Sequence, residues 1–327
     1  MKYLIASFAE QLKEAMEIGE ASQITNHKSQ ITTVLISGLG GSGIGGTIVS
    51  QLVENECKIP VLTNKTYFIP AFVNQNTLVI ICSYSGNTEE TVNCLKEAIK
   101  KNAKIVCITS GGKIGEMAKK NNLDCIVIPG GMPPRACLGY PFSGLFYVLN
   151  KLEIINSDFK EKLIAAIALI EVEEKKIIPK AIKVAGELLD KIPVIYSDAS
   201  VEGVAIRFRQ QLNENSKILC WHHALPEMNH NELVGWKDKN EKLAVVVLRN
   251  KSDYQRNKER IIFTEKTVNE FTSNIIEIHS KGESNIENAI YLIHFCDWIS
   301  FFLAQLRGVD AREVNIINKL KAELAKN

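Results

Sequence analysis

Two α/β domains, each a parallel sheet flanked by helices, are predicted from three features of the sequence. Short β-branched runs alternate with longer amphipathic ones from Thr33 to Ile128, a charge-rich helical stretch follows Asn150, and strand-like runs resume at Pro193. The length of 327 residues agrees, because single cores stop growing beyond about 250–300 residues. The expected boundaries are 1–152 for an N-terminal domain, 153–190 for a helical connector and 191–327 for a C-terminal domain.

In the first half, strands are expected at Thr33–Ser37, Pro60–Asn64, Leu78–Cys82, Lys104–Thr109 and Cys125–Ile128. Helices are expected near Ile44–Glu54, Glu89–Lys101 and Lys113–Asn121. Parallel neighbours need a crossover of a dozen or more residues, and these helices supply it. Each loop after a strand is rich in Gly, Ser or Thr. In the connector, Leu163, Ile167 and Ile170 recur at helical spacing and Glu171–Lys176 is highly charged. The second, smaller domain is expected to hold strands at Pro193–Tyr196, Ser216–Cys220, Leu243–Leu248 and Asn274–Ile278, with a helical stretch over Val201–Asn213. The halves share no evident sequence repeat. The most apolar stretch, Ala289–Leu306, carries His294, Asp297 and Gln305. An aspartate at the middle argues for a helix buried in the core or in a subunit contact rather than a membrane span.

Composition narrows the function classes. Hydrophobic residues make up 46% and charged residues 23%, ordinary globular usage. A formal net charge of +2 without a block of basic residues disfavours a nucleic-acid partner. Eight cysteines, none in a Cys-x-x-Cys pair, read as reduced core thiols of a cytoplasmic protein. Met1–Glu20 carries Glu10, Lys13, Glu14 and Glu17 and has no unbroken apolar run, so a signal peptide is not expected.

Two loops carry the chemistry. Gly38-Leu39-Gly40-Gly41-Ser42-Gly43 follows the first strand and formally matches the dinucleotide fingerprint Gly-x-Gly-x-x-Gly. A dinucleotide site also wants an acidic residue at the end of the second strand, where this sequence has Asn64-Lys65. What remains is a turn whose backbone N–H groups and Ser42 hydroxyl can approach an anion at a helix N-terminus. The second loop, Ser83-Tyr84-Ser85-Gly86-Asn87-Thr88, sets three hydroxyls within six residues before a helix beginning near Glu89. It lacks a Walker lysine and a Mg²⁺-ligand pattern, which suits a monophosphate rather than a nucleoside triphosphate. Thr88 alone reads equally well as a helix N-cap.

At these residues the chain resembles the SIS (sugar isomerase) family, whose phosphate loop commonly reads Ser-x-Ser-Gly-x-Thr. With Gly38–Gly46, Pro133-Pro134-Arg135, Asn213-Glu214-Asn215 and the run Pro226–Glu232, the resemblance narrows to the bifunctional phosphoglucose/phosphomannose isomerases and spans nearly the whole chain. It implies two SIS-type domains and interconversion of glucose 6-phosphate, mannose 6-phosphate or both with fructose 6-phosphate through an enediol. It also implies that Gly41, Ser42, Ser83, Ser85, Thr88 and Arg135 bind the phosphorylated hexose, and that Glu214, His230 and Lys321 are catalytic. Glu214 would be the base and His230 the ring-opening group, contributed across a homodimer contact so that active sites are shared. Lys319 is a competing register for Lys321.

No metal or other cofactor is implied. His222, His223 and His230 together show neither a His-Glu-x-x-His pattern nor paired cysteine ligands. Two other readings stay open: a noncatalytic phosphosugar sensor, and a related SIS isomerase acting on another phosphosugar.

Overall fold

The computed structural model describes residues 1–25, 31–324 and 326. The chain folds into two compact units. One comprises Ala6–Glu171 and Gly282–Ile290, the other Met1–Ile5, Val172–Lys281 and Tyr291–Asn327.

The first unit is built on a five-stranded parallel sheet: β1 Thr33–Ser37, β2 Val61–Asn64, β3 Thr77–Ser83, β4 Lys104–Thr109 and β5 Asp124–Val127, in the spatial order β2-β1-β3-β4-β5. Every residue of β3 is buried, as a central strand covered on both faces requires. Helix α1 Lys2–Ala6, which belongs to the other unit up to Ile5, and α2 Phe8–Ala21 precede the sheet in the chain. Between and after its strands come α3 Gly40–Val53, α4 Glu89–Lys100, α5 Gly112–Lys120, α6 Gly139–Lys151 and α7 Phe159–Glu187. The boundary between the units falls inside α7, at Glu171 and Val172. Packing of α2 on α6 is close enough to demand glycine, since a Cβ on Gly19 would lie 2.3 Å from the Tyr147 ring.

The second unit holds a four-stranded parallel sheet of β6 Ile192–Asp198, β7 Trp221–Leu225, β8 Leu243–Arg249 and β9 Ile275–His279, ordered β7-β6-β8-β9. Its helices are α8 Glu202–Gln211, α9 Gln255–Val268, α10 Asn285–Leu306 from Tyr291 onward, and α11 Asn315–Leu324. By length and composition α10 alone among the described helices is apolar enough to cross a membrane, yet 83% of its most apolar window is buried within the protein. Its Asp297 accepts hydrogen bonds from Arg207 Nη2 at 2.5 Å and from Gln211 Nε2 at 2.9 Å. A buried carboxylate answered by a guanidinium is how a core tolerates charge.

One expected strand is displaced. Residues Ser216–Cys220 are not a strand; β7 starts at Trp221. Ile218 and Leu219 imitate a strand opening, but Leu219 is 87% exposed and the preceding residues close a π-helical turn over Leu212–Ser216. All eight cysteines are free thiols. Burial pushes Cys82 up to about 12, so it remains a neutral core thiol near pH 7.

Candidate active site

In an open parallel sheet, ligands collect outside the carboxyl ends of the strands where the chain order reverses. In the first unit that point lies between β1 and β3, and both Gly- and hydroxyl-rich loops leave from it. Their backbones nearly touch: a Cβ on Gly38 would stand 2.8 Å from the Cys82 carbonyl oxygen. Tyr84 N donates to Ser42 Oγ at 2.9 Å, so the Ser42 hydroxyl, 6% exposed, fastens one loop to the other. Gly41 serves the third segment, because a Cβ there would lie 2.7 Å from the Pro134 carbonyl oxygen and 3.0 Å from Arg135 N.

The hydroxyl loop keeps its shape through its own backbone. Gly86 N donates to Ser83 O at 3.1 Å. Gly86 takes φ +66°, and a Cβ there would fall 1.8 Å from the Gly111 carbonyl oxygen; both facts demand glycine. Ser83 is buried and its Oγ lies 3.3 Å from Thr88 Oγ1. Ser85 is exposed, its Oγ accepting from Asn87 N at 3.3 Å. Thr88 is the N-cap of α4, yet its side chain makes no capping bond. The N-cap alternative for its hydroxyl is therefore not realised, and the first N–H groups of α4 are left without a capping side chain.

Arg135 sits in the short 3₁₀ turn Pro134–Ala136 and is 5% exposed. A guanidinium buried this far is held for pairing or for a ligand. Gln11 Nε2, from α2, donates to Ala136 O at 2.9 Å and steadies this turn.

One organiser of this end of the sheet had no signal in the sequence. Besides donating to Ser42, Tyr84 accepts on its carbonyl oxygen from Ser110 N and Oγ, and on its hydroxyl from Met132 N at 3.0 Å. It thereby joins the loops after β1 and β4 to the segment leading into Arg135. Burial pushes its phenol up to about 12, which keeps it neutral. The partners lie 26 to 48 residues away, beyond any local pattern.

The second unit carries Glu214, His230 and Lys321. Glu214 is half-buried in the π-helical turn that follows α8, a geometry that recurs at functional sites. Its neighbours hold the turn: Asn215 Nδ2 donates to Ser300 Oγ at 3.0 Å, Ser216 Oγ to Ser300 O at 2.7 Å, and Arg307 Nε to Ser216 O at 2.9 Å. Lys217, at φ +57°, closes it. The Lys217 ammonium donates to the carbonyl oxygens of Glu214 and Glu313, tying the turn to the residues that lead into α11. His230 ends the 3₁₀ turn Glu227–His230 and is exposed. Lys321 lies on α11, which has no buried residue. The six binding candidates thus gather at one end of the first sheet, while the three catalytic candidates occupy three separate segments of the second unit. Among the described residues, no group of three or more His, Cys, Asp or Glu side chains is arranged to hold a metal ion.

Parallel sheets with a hydroxyl-rich loop at the switch point define a SIS-fold protein, and residues 32–130 match the SIS domain family. Residues 178–324 match the bacterial phospho-glucose isomerase C-terminal SIS domain. The fold is shared with the C-terminal domain of glucosamine-fructose-6-phosphate aminotransferase from Francisella tularensis, at a TM-score of 0.75 and 14% identity over 95% of this chain and 98% of that one.

Sequence carries the assignment further. The chain is 37% identical over 331 residues to the bifunctional phosphoglucose/phosphomannose isomerase of Caldicellulosiruptor bescii, covering 98% of both chains. It is 39% identical over 295 residues to the protein of the same name from Thermoplasma volcanium, covering 89% of this chain and 91% of that one. The chain belongs to the bifunctional phosphoglucose/phosphomannose isomerase family.

Proposed function

We propose that this chain interconverts glucose 6-phosphate and mannose 6-phosphate with fructose 6-phosphate. The observation that carries this reading is near full-length identity to isomerases of that name. A hydroxyl loop suited to a phosphate monoester, at the switch point of the first sheet, supports it. Ser83, Ser85 and Thr88 grip the phosphate, with Gly41 and Ser42 at the sugar side. His230 moves a proton to open the pyranose ring. Glu214 then takes the C2 proton of the open-chain aldose as the C1 carbonyl becomes an enediolate oxygen; a proton passes from O2 to O1, and Glu214 returns its proton to C1 as O2 becomes the ketose carbonyl. Arg135 stabilises the charge that develops on the enediolate oxygens. Lys321 is the catalytic cation of the C-terminal helix. Lys319 stands about 200° away around that helix, so the two registers exclude each other.

Coupled assays of the purified protein with each aldose phosphate test the reading. Turnover of both, with solvent deuterium entering the product, is the expected result. Turnover of neither overturns it.

The assembly we propose is a cytoplasmic homodimer acting in glycolysis and gluconeogenesis, with His230 of one chain serving the site of the other. The exposure of His230 supports a shared site. Reassembling Glu214→Gln chains with His230→Ala chains, each strongly impaired by itself, is expected to raise activity well above that of either variant. Half of randomly reassorted dimers are mixed and each holds one intact site, so recovery approaches roughly a quarter of the native site number. Exchange of chains without recovery would assign both residues to one chain. Cell fractionation checks the compartment, and recovery in the membrane fraction would contradict it.

A further inference from the structure

Beside His230, three donors from two strands converge on one carboxylate. Tyr196 and His223 are register partners on β6 and β7, and Trp221, two residues before His223, shares its face. Tyr196 Oη donates to Glu232 Oε1 at 2.7 Å, Trp221 Nε1 donates to the same oxygen at 2.9 Å, and His223 Nδ1 lies 2.8 Å from Oε2. A carboxylate only accepts, so the His223 ring turns its Nδ1–H toward Glu232. Trp236 Nε1 donates to Tyr196 Oη at 2.9 Å and completes the set. Tyr196 is fully buried; burial first, and then the Glu232 carboxylate, raise its phenol well above the usual range, so it stays a donor.

This constellation clamps one side of the His230 loop. Asn231 Oδ1 accepts from Glu232 N, while Asn231 Nδ2 donates to Glu227 Oε1 at 2.7 Å, bracing the turn from within. On the other side Met228 is buried among the core residues of the second sheet, and Asn229 Nδ2 donates to Thr264 Oγ1 on α9 at 2.9 Å. His230 and Asn231 are the exposed residues between these two anchors, and the Asn231 side chain is turned back onto the loop, leaving His230 to face outward. An amide in place of the Glu232 carboxylate would offer one acceptor oxygen and turn an NH₂ donor toward groups that also donate.

We propose that Glu232 is a positioning residue for His230, holding the loop that presents the imidazole. The inference rests on the role given to His230 in the isomerase reading. It is tested by a double-mutant cycle on kcat with glucose 6-phosphate. Glu232→Gln is expected to lower kcat on the order of tenfold to a hundredfold with KM within about threefold, and to add no more than about twofold when His230 is already alanine.

Equal losses in the wild-type and His230→Ala backgrounds would mark Glu232 as merely structural and overturn the proposal. Full turnover by His230→Ala would instead remove the histidine from the mechanism, and the positioning role with it. If Glu232→Gln does not fold, Tyr196→Phe and Trp221→Phe each delete one donor. They must show a smaller loss that likewise vanishes without His230, and losses that persist without it sink the idea.

Discussion

Glu214→Gln is expected to lose about 10²–10⁴-fold in kcat, the range of a general base, while fructose 6-phosphate still binds. The carboxamide keeps the shape of the side chain and removes its basicity. The turn that carries it should survive, because Asn215 and Ser216 anchor it to Ser300 on α10, and Arg307 bonds the Ser216 carbonyl. Exchange of the substrate C2 hydrogen with solvent deuterium distinguishes chemistry from binding and should disappear together with turnover. Ligand-induced thermal stabilisation should persist, since it reports binding to the folded state alone. Near-native turnover would take Glu214 out of the mechanism.

The legible parts of this molecule are those whose cause is local. β1 and β4 begin and end where their β-branched runs do, and α4 starts at the expected Glu89, because alternation and punctuation are written in neighbouring residues. Helix α3 starts at Gly40, four residues before the apolar pattern implied. Glycine is a poor helix former, but here close approach of Gly41 to the Pro134 carbonyl and of Gly43 to Gly38 outweighs propensity. The displaced strand β7 has the same kind of explanation. Its sequence Trp-His-His-Ala-Leu carries weak strand character, and its polar side chains find partners in Glu232 and Glu202, which lie outside the strand and beyond its local pattern.

Sites divide along the same line. Ser83 to Thr88 could be singled out because its three hydroxyls stand in one contiguous loop. Tyr84 stands inside that motif as an aromatic interruption, and Glu232 closes the His230 run as one carboxylate among the chain's 37 acidic residues. Each acquires its role only when strands remote in sequence align.

The other large effect is expected at the loop after β3 that we propose holds the phosphate. Ser83→Ala combined with Ser85→Ala removes two hydroxyl donors from a dianionic ligand. Each such hydrogen bond contributes roughly 1.5–3 kcal/mol, so the pair should raise KM for fructose 6-phosphate by about 10²–10⁴-fold. The fold should tolerate the change. Ser85 is exposed and accepts only a 3.3 Å bond from Asn87 N, and the Ser83 hydroxyl contacts Thr88 at 3.3 Å. The turn itself is held by Gly86 N on Ser83 O and by Ser110 on Tyr84 O, none of which is a serine hydroxyl of the loop. Selectivity gives the sharper readout. With the hydroxyls gone, preference for phosphorylated over free hexose should collapse while thermal stability without ligand holds. Unchanged affinity for fructose 6-phosphate would place the phosphate somewhere other than the N-terminus of α4.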